Sequence, residues 1–150
     1  MKCLDKKTFN RIIDDIPVRK TYERGYECRL VITGSFLLHL HGLVDSFDDV
    51  DILVVDAPES FWIELSSSVY KWDIRDYGDY KSVKVVFDDV TYNLIKDDLY
   101  TEFTNGYADL NGEIELDTLS HALKAKARLR REKDKPHFEQ IKNKITQLIQ

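Results

Sequence analysis

Asp49 and Asp51 have the spacing of a metal-binding pair. They open the apolar run Asp49-Val50-Asp51-Ile52-Leu53-Val54-Val55. A strand here sends both carboxylates to one side and Val50 and Ile52 to the other. Two carboxylates on one face repel each other unless a cation sits between them, and Mg²⁺ favours such oxygen ligands. Upstream, Val31-Ile32-Thr33 runs into Gly34-Ser35, and thirteen residues separate Ser35 from Asp49. A Gly-Ser turn that opens a helix presents unbonded N–H groups and the positive end of the helix dipole to an anion. Gly34 lets the backbone come close to phosphate, and the Ser35 hydroxyl can donate to a phosphate oxygen. The competing reading is a plain turn with Ser35 as the helix cap. Together the two segments are the parts of a site for a metal-bound nucleoside triphosphate.

This order resembles the nucleotidyltransferase superfamily, the one that includes DNA polymerase beta. Its pattern is a hydrophobic residue followed by Gly and Gly or Ser, a spacer, then acid-hydrophobic-acid; here Thr33 precedes Gly34-Ser35, and Asp49-Val50-Asp51 completes it. The resemblance implies that Asp49 and Asp51 ligate Mg²⁺ (or Mn²⁺), as one or two ions. It also implies transfer of a nucleoside monophosphate from the triphosphate to a hydroxyl of RNA, protein or a small molecule. The superfamily places a third acid on a neighbouring strand. In this chain Val90-Thr91-Tyr92-Asn93-Leu94-Ile95 occupies that place, with Asn93 where the acid is expected. An amide offers a carbonyl oxygen to a metal but neither charges it down nor accepts a proton from a nucleophile. Asp88, Asp89, Asp97 and Asp98 are near in sequence, where turn and cap roles compete with substitution for that acid. The alternative reading is a degenerate nucleotidyltransferase-fold module that binds nucleotide, RNA or a protein partner without turnover. The loop Asp45-Ser46-Phe47-Asp48 departs from toxin-type relatives, which carry Arg and Thr there, and Arg131-Glu132-Lys133-Asp134 resembles their late Arg-x-Lys-Asp stretch.

A basic segment is the second candidate. Lys124, Lys126, Arg128, Arg130, Arg131, Lys133 and Lys135 crowd residues 124–135 of a chain whose net charge is -5. Leu119, Leu123, Lys126 and Arg130 share one helical stripe, so Lys126 and Arg130 are expected to point towards the body. Lys126, with Arg130 or Lys133, is the candidate contact for triphosphate or an RNA backbone such as tRNA. The competing reading is a solvated helix end favoured by its dipole. His39 and His41 are two apart and cannot share a helical face, so they are expected to pack rather than bind zinc. Tyr22, Tyr26, Tyr77 and Tyr80 read as packing residues.

The elements that must position these groups follow from pattern. Leu4, Phe9, Ile12, Ile13 and Ile16 predict a helix over residues 4–16, stopped by Pro17. A strand over 27–33, a helix over 35–41 ended by Gly42, and a strand over 50–55 follow. Pro58 starts a helix carrying Phe61, Trp62, Leu65 and Val69. Strands are expected over 71–75, 82–87, 90–95 and 114–116, with Asp88-Asp89 as a hairpin turn, and a short helix over 97–104. Asp117 is expected to cap a helix to about residue 131. A final helix from Lys135-Pro136 carries Phe138, Ile141, Ile145 and Leu148 on one face. The sum is a single α/β (α+β) domain over residues 1–150: a core at 26–116 with a mixed sheet and packed helices, and C-terminal helices at 117–150.

Bulk composition narrows the rest. The chain has 150 residues, 43% hydrophobic and 33% charged, in the range of an ordinary globular domain. Its acidic balance confines any nucleic-acid contact to a local patch. No apolar run is long enough to span a bilayer. The segment Met1 to Lys7 lacks the apolar stretch of a secretory leader. Cys3 and Cys28 make no disulfide framework, so a reducing cytoplasm is the expected compartment.

Overall fold

The computed structural model describes residues 6–16, 28–66, 71–76, 81–104, 106–110, 112–129 and 135–149. It is an α+β fold with a mixed sheet. The elements are α1 (Lys6–Asp14), β1 (Arg29–Thr33), α2 (Gly34–Leu40), β2 (Asp49–Val55), α3 (Glu59–Ser66), β3 (Lys71–Asp76), β4 (Lys81–Phe87), β5 (Val90–Lys96), β6 (Gly106–Tyr107), β7 (Ile114–Leu116), α4 (Leu119–Leu129) and α5 (Lys135–Ile149). The strands form one seven-stranded sheet in the order β3-β4-β5-β2-β1-β7-β6. β1 and β2 are antiparallel, while β2 pairs parallel with β5, and β1 parallel with β7.

Strand alternation divides the sheet into two unlike faces. Leu30, Ile32, Val50, Ile52, Val54, Val85, Tyr92 and Leu94 point to one side, where Ile12, Ile13, Ile16, Phe36, Leu37 and Phe61 from the helices complete the main core. The Tyr92 hydroxyl donates to the Ile12 carbonyl at 2.9 Å, which ties α1 to the sheet without an orphaned phenol. The other face has a smaller apolar cluster, Val31, Leu53, Val55 and Tyr100, with Ile95 beside it. Leu38, Val44 and Ile141 join α2 and α5, flanked by Leu119 and Leu123 of α4.

Local chemistry explains most element ends. Asp88 and Asp89 both hold positive φ (51° and 62°), which is the two-residue turn that matches strand twist in a hairpin. Gly42 at φ 73° ends α2, with the Leu43 N–H bonded to the Leu38 carbonyl at 2.9 Å.

Three expectations are corrected. Residues 97–104 form a turn and an irregular run rather than a helix. Their groups are taken by tertiary partners: Asp97 N–H bonds Val54 O, Glu102 O accepts from Arg29, and Thr104 bonds Glu115. α4 is capped by Thr118, whose hydroxyl accepts the His121 N–H at 3.1 Å, and not by Asp117. The cap position of α2 is Thr33, not Ser35. The two-residue strand β6 carries no period long enough to be read from sequence. Val69 and helix residues 4, 5, 130 and 131 lie outside the described residues.

Candidate functional site

One rung of the sheet assembles the site. Thr33 of β1 is opposite Asp51 of β2, Asp51 is opposite Asn93 of β5, and Asn93 is opposite Lys84 of β4. Asp49 lies two residues earlier on the same side of β2, paired with Thr91. The intervening Val50 and Ile52 are fully buried in the core. The expected alternation of β2 therefore holds: both carboxylates leave on the face opposite the main core.

Asp51 lies directly on the Gly-Ser bend. A Cβ built on Gly34 would sit 2.2 Å from Asp51 Oδ2, and Gly34 has φ 69°. A side chain there would have to displace the Asp51 carboxylate and hold a strained dihedral. Thr33 occupies the helix cap position but makes no side-chain cap bond. Its hydroxyl instead donates to Asp117 Oδ2 at 2.7 Å. Thr33 therefore does not cap the opening turn of α2, which begins beside the Asp51 carboxylate.

The polar groups on the rung are unevenly satisfied. Lys84 Nζ reaches Asp49 Oδ2 at 3.1 Å, with the two side chains 30% and 22% exposed. Asn93 Nδ2 donates to Asp51 Oδ1 at 3.3 Å. Asn93 Oδ1 is buried without a hydrogen-bond partner. An orphaned buried carbonyl oxygen costs desolvation energy. Turning the amide over exchanges its oxygen and nitrogen, which sets Oδ1 beside the Asp51 carboxylate. Two carboxylates and an amide oxygen are hard donors that fit Mg²⁺ or Mn²⁺. Among the described residues no three His, Cys, Asp or Glu side chains converge on a metal position, so the donor set has two acids.

The nearby aspartates do not supply the third. Asp88 pairs with Arg11 at 3.2 Å, Asp98 Oδ1 accepts the Asp56 N–H at 3.0 Å, and the Asp97 N–H extends the β2–β5 ladder. They have the turn roles their positions suggested. Of the loop acids, Asp45 and Asp48 are exposed, and the Asp45 N–H donates to Gln140 Oε1 of α5 at 2.8 Å. Lys126 is 6% exposed, so the inward reading of the α4 stripe holds for it. Arg130 and Lys133 lie outside the described residues. His39 packs on Phe47 with Nδ1 3.1 Å from the Val44 carbonyl.

Sequence reading missed a second polar cluster. The Asp117 carboxylate is fully buried and accepts from Thr33, from the Tyr100 hydroxyl at 2.5 Å, and lies 2.6 Å from His121 Nδ1. Burial, and then the bond to Asp117, push the Tyr100 phenol well above its ordinary range. Beside it Arg29 makes paired bonds to Glu115 at 2.9 and 2.8 Å and stacks on Tyr100. The Arg29 bonds hold the Glu115 carboxyl below its usual range. Burial raises the Cys28 thiol to about 11, which makes it a poor nucleophile. The signal for Lys84 was a lysine between Val83 and Val85, but only strand pairing shows that it faces Asp49.

Matching the chain against protein families, curated proteins and solved structures finds none that matches.

Proposed function

We propose that this protein binds a Mg²⁺- or Mn²⁺-complexed nucleoside triphosphate at Gly34, Ser35, Asp49, Asp51 and Asn93, and transfers the nucleoside monophosphate to a hydroxyl of RNA, protein or a small molecule. The observation that carries this reading is the contact of Asp51 with Gly34, which makes the carboxylate pair and the anion-binding bend one site. Asp49, Asp51 and the Asn93 amide oxygen would hold the metal, which supplies charge neutralisation of the polyphosphate and acidifies an attacking hydroxyl. The turn at Gly34 and Ser35 receives phosphate oxygens through backbone N–H groups, and the Ser35 hydroxyl adds a donor. The acceptor oxygen bonds the α-phosphorus, and the bond to the bridging oxygen breaks to release pyrophosphate. Asn93 cannot take the acceptor's proton, which passes to solvent water as the new phosphoester bond forms. Lys126 is a candidate phosphate contact from α4.

A second reading is favoured by two observations on the same rung: an amide at 93 and an ammonium on Asp49. On that reading the site binds nucleotide, RNA or a protein partner without turnover. Incubation with Mg²⁺ or Mn²⁺, each α-labelled NTP, total tRNA and cell lysate separates the two. Label transfer lost in Asp49→Ala supports the enzyme; nucleotide-dependent thermal stabilisation without transfer supports the binding module. Neither label transfer nor stabilisation by any NTP would overturn the enzyme and the nucleotide-binding form of the second reading. Lys126→Ala should weaken nucleotide binding more than Lys135→Ala, since Lys135 is exposed; equal losses would remove Lys126 from the site.

A further inference from the structure

We infer that Lys84 is a resident cation that stands in for one of two metal ions, so that the site takes a single divalent ion. The inference rests on the nucleotide-site reading above and deepens it. Lys84 reaches the site from β4 along the rung that carries Asn93 and Asp51, and its ammonium lies 3.1 Å from Asp49 Oδ2. A strand lysine between two apolar neighbours has one side on which to place its charge. Here the β4–β5–β2 register aims it at Asp49 rather than at solvent.

Charge and donor count agree. A site with three carboxylates and no internal cation can bring together two divalent ions. This rung has the Asp49 and Asp51 carboxylates, the neutral Asn93 and the Lys84 ammonium, so the second ion would meet a like charge at short range. Donor atoms are short as well: one Asp49 oxygen is engaged by Lys84 and one Asp51 oxygen by Asn93. Turning the Asn93 amide over would trade its bond to Asp51 for one ligand oxygen, so the protein still offers few donor atoms. Mg²⁺ completes its shell with waters and phosphate oxygens when the protein supplies few ligands. One such ion suits this donor set; two do not. The lysine also explains how two carboxylates on one strand coexist before any ligand arrives.

The inference is tested by counting Mn²⁺. Electron paramagnetic resonance titration of the full chain, with Mn²⁺ alone and with Mn²⁺ plus a non-hydrolysable NTP, gives stoichiometry and affinity without activity. The wild type is expected to take one Mn²⁺ per chain in excess of that bound to free nucleotide. Lys84→Met removes the charge and keeps the stem; it should bind the first ion about ten-fold more tightly, as expected for loss of a like charge in a half-exposed site. Asn93→Asp in that background should admit a second ion. Lys84→Arg keeps the charge and should stay near wild type. A wild type that takes two ions overturns the inference, as does a Lys84→Met protein, folded by circular dichroism, with unchanged or weaker Mn²⁺ binding. One Mn²⁺ per wild-type chain, held more tightly in Lys84→Met, with no label transfer upholds Lys84 as the cation while sinking turnover, so the two failures are told apart.

Discussion

Asp51 and Asp117 flank the same residue. Asp51 faces Thr33 across the β1–β2 pair, and Asp117 accepts the Thr33 hydroxyl from β7's end of the sheet. Around Asp117 every neighbour is a partner: Thr33, Tyr100 and His121 surround a carboxylate with no exposed side-chain surface. Around Asp51 the surroundings are of another kind. Its amide partner has an orphaned oxygen, its companion Asp49 is part exposed, and a glycine stands where a side chain would close the space. A saturated buried acid holds elements together; an acid in an unsaturated cluster has capacity left for a ligand. On the proposed reading, the difference separates an acid that holds the fold from one placed to meet a ligand.

Substitutions sharpen or break that contrast. The largest effect is expected at the saturated acid. Asp117→Ala strands three hydrogen-bonding groups and should cost about 3 kcal/mol, which lowers Tm by about 10 °C for a domain of this size; thermal melts followed by circular dichroism measure it. Gly34→Ala comes next, at about 2 kcal/mol, because a side chain there must hold positive φ and push Asp51 aside. It should also abolish the nucleotide-dependent rise in Tm. A Gly34→Ala protein as stable as wild type would remove the close contact on which the site depends.

Asp51→Asn should behave in the opposite way to Asp117→Ala. Stability is expected to stay within about 1 kcal/mol of wild type, since a carboxylate in a repelling pair is not a net anchor, while nucleotide-dependent stabilisation and any label transfer are lost. A large stability loss in urea titration would make Asp51 a second structural acid and end the contrast. The smallest effect is expected at Glu115. The Arg29 bonds depress its folded pKa, so its contribution is full above the ordinary glutamate value of about 4.3 and fades as pH falls through the lowered folded value. Glu115→Gln should therefore be less stable than wild type at neutral pH, and the gap should close in acid. A gap that widens on acidification would contradict the pairing.

Much of the scaffold is legible residue by residue. Alternation placed Val50 and Ile52 opposite Asp49 and Asp51, adjacent aspartates marked the β4–β5 hairpin, and Gly42 marked the end of α2. The apolar members of the α4 stripe placed Lys126 inside. The stretch from Asp97 to Thr104 was misread because its residue types permit a helix, and nothing nearby in the chain states that Tyr100, Glu102 and Thr104 have partners at residues 117, 29 and 115. Asp117 was misread for the same reason: a cap residue precedes a helix whether or not its side chain turns inward.

Within the site, the glycine-serine bend and the acid pair are written locally, as a strand end, a turn and a period of two. That Asp51 rests on Gly34, that Asn93 joins it and that Lys84 covers Asp49 depend on which strands lie side by side and in what register. Backbone preference and alternation act over neighbouring residues and can be read along the chain. Ion pairing and hydrogen-bond saturation join residues 84 and 86 positions apart, as in Thr33 with Asp117 and Arg29 with Glu115, and exist only once the sheet has closed.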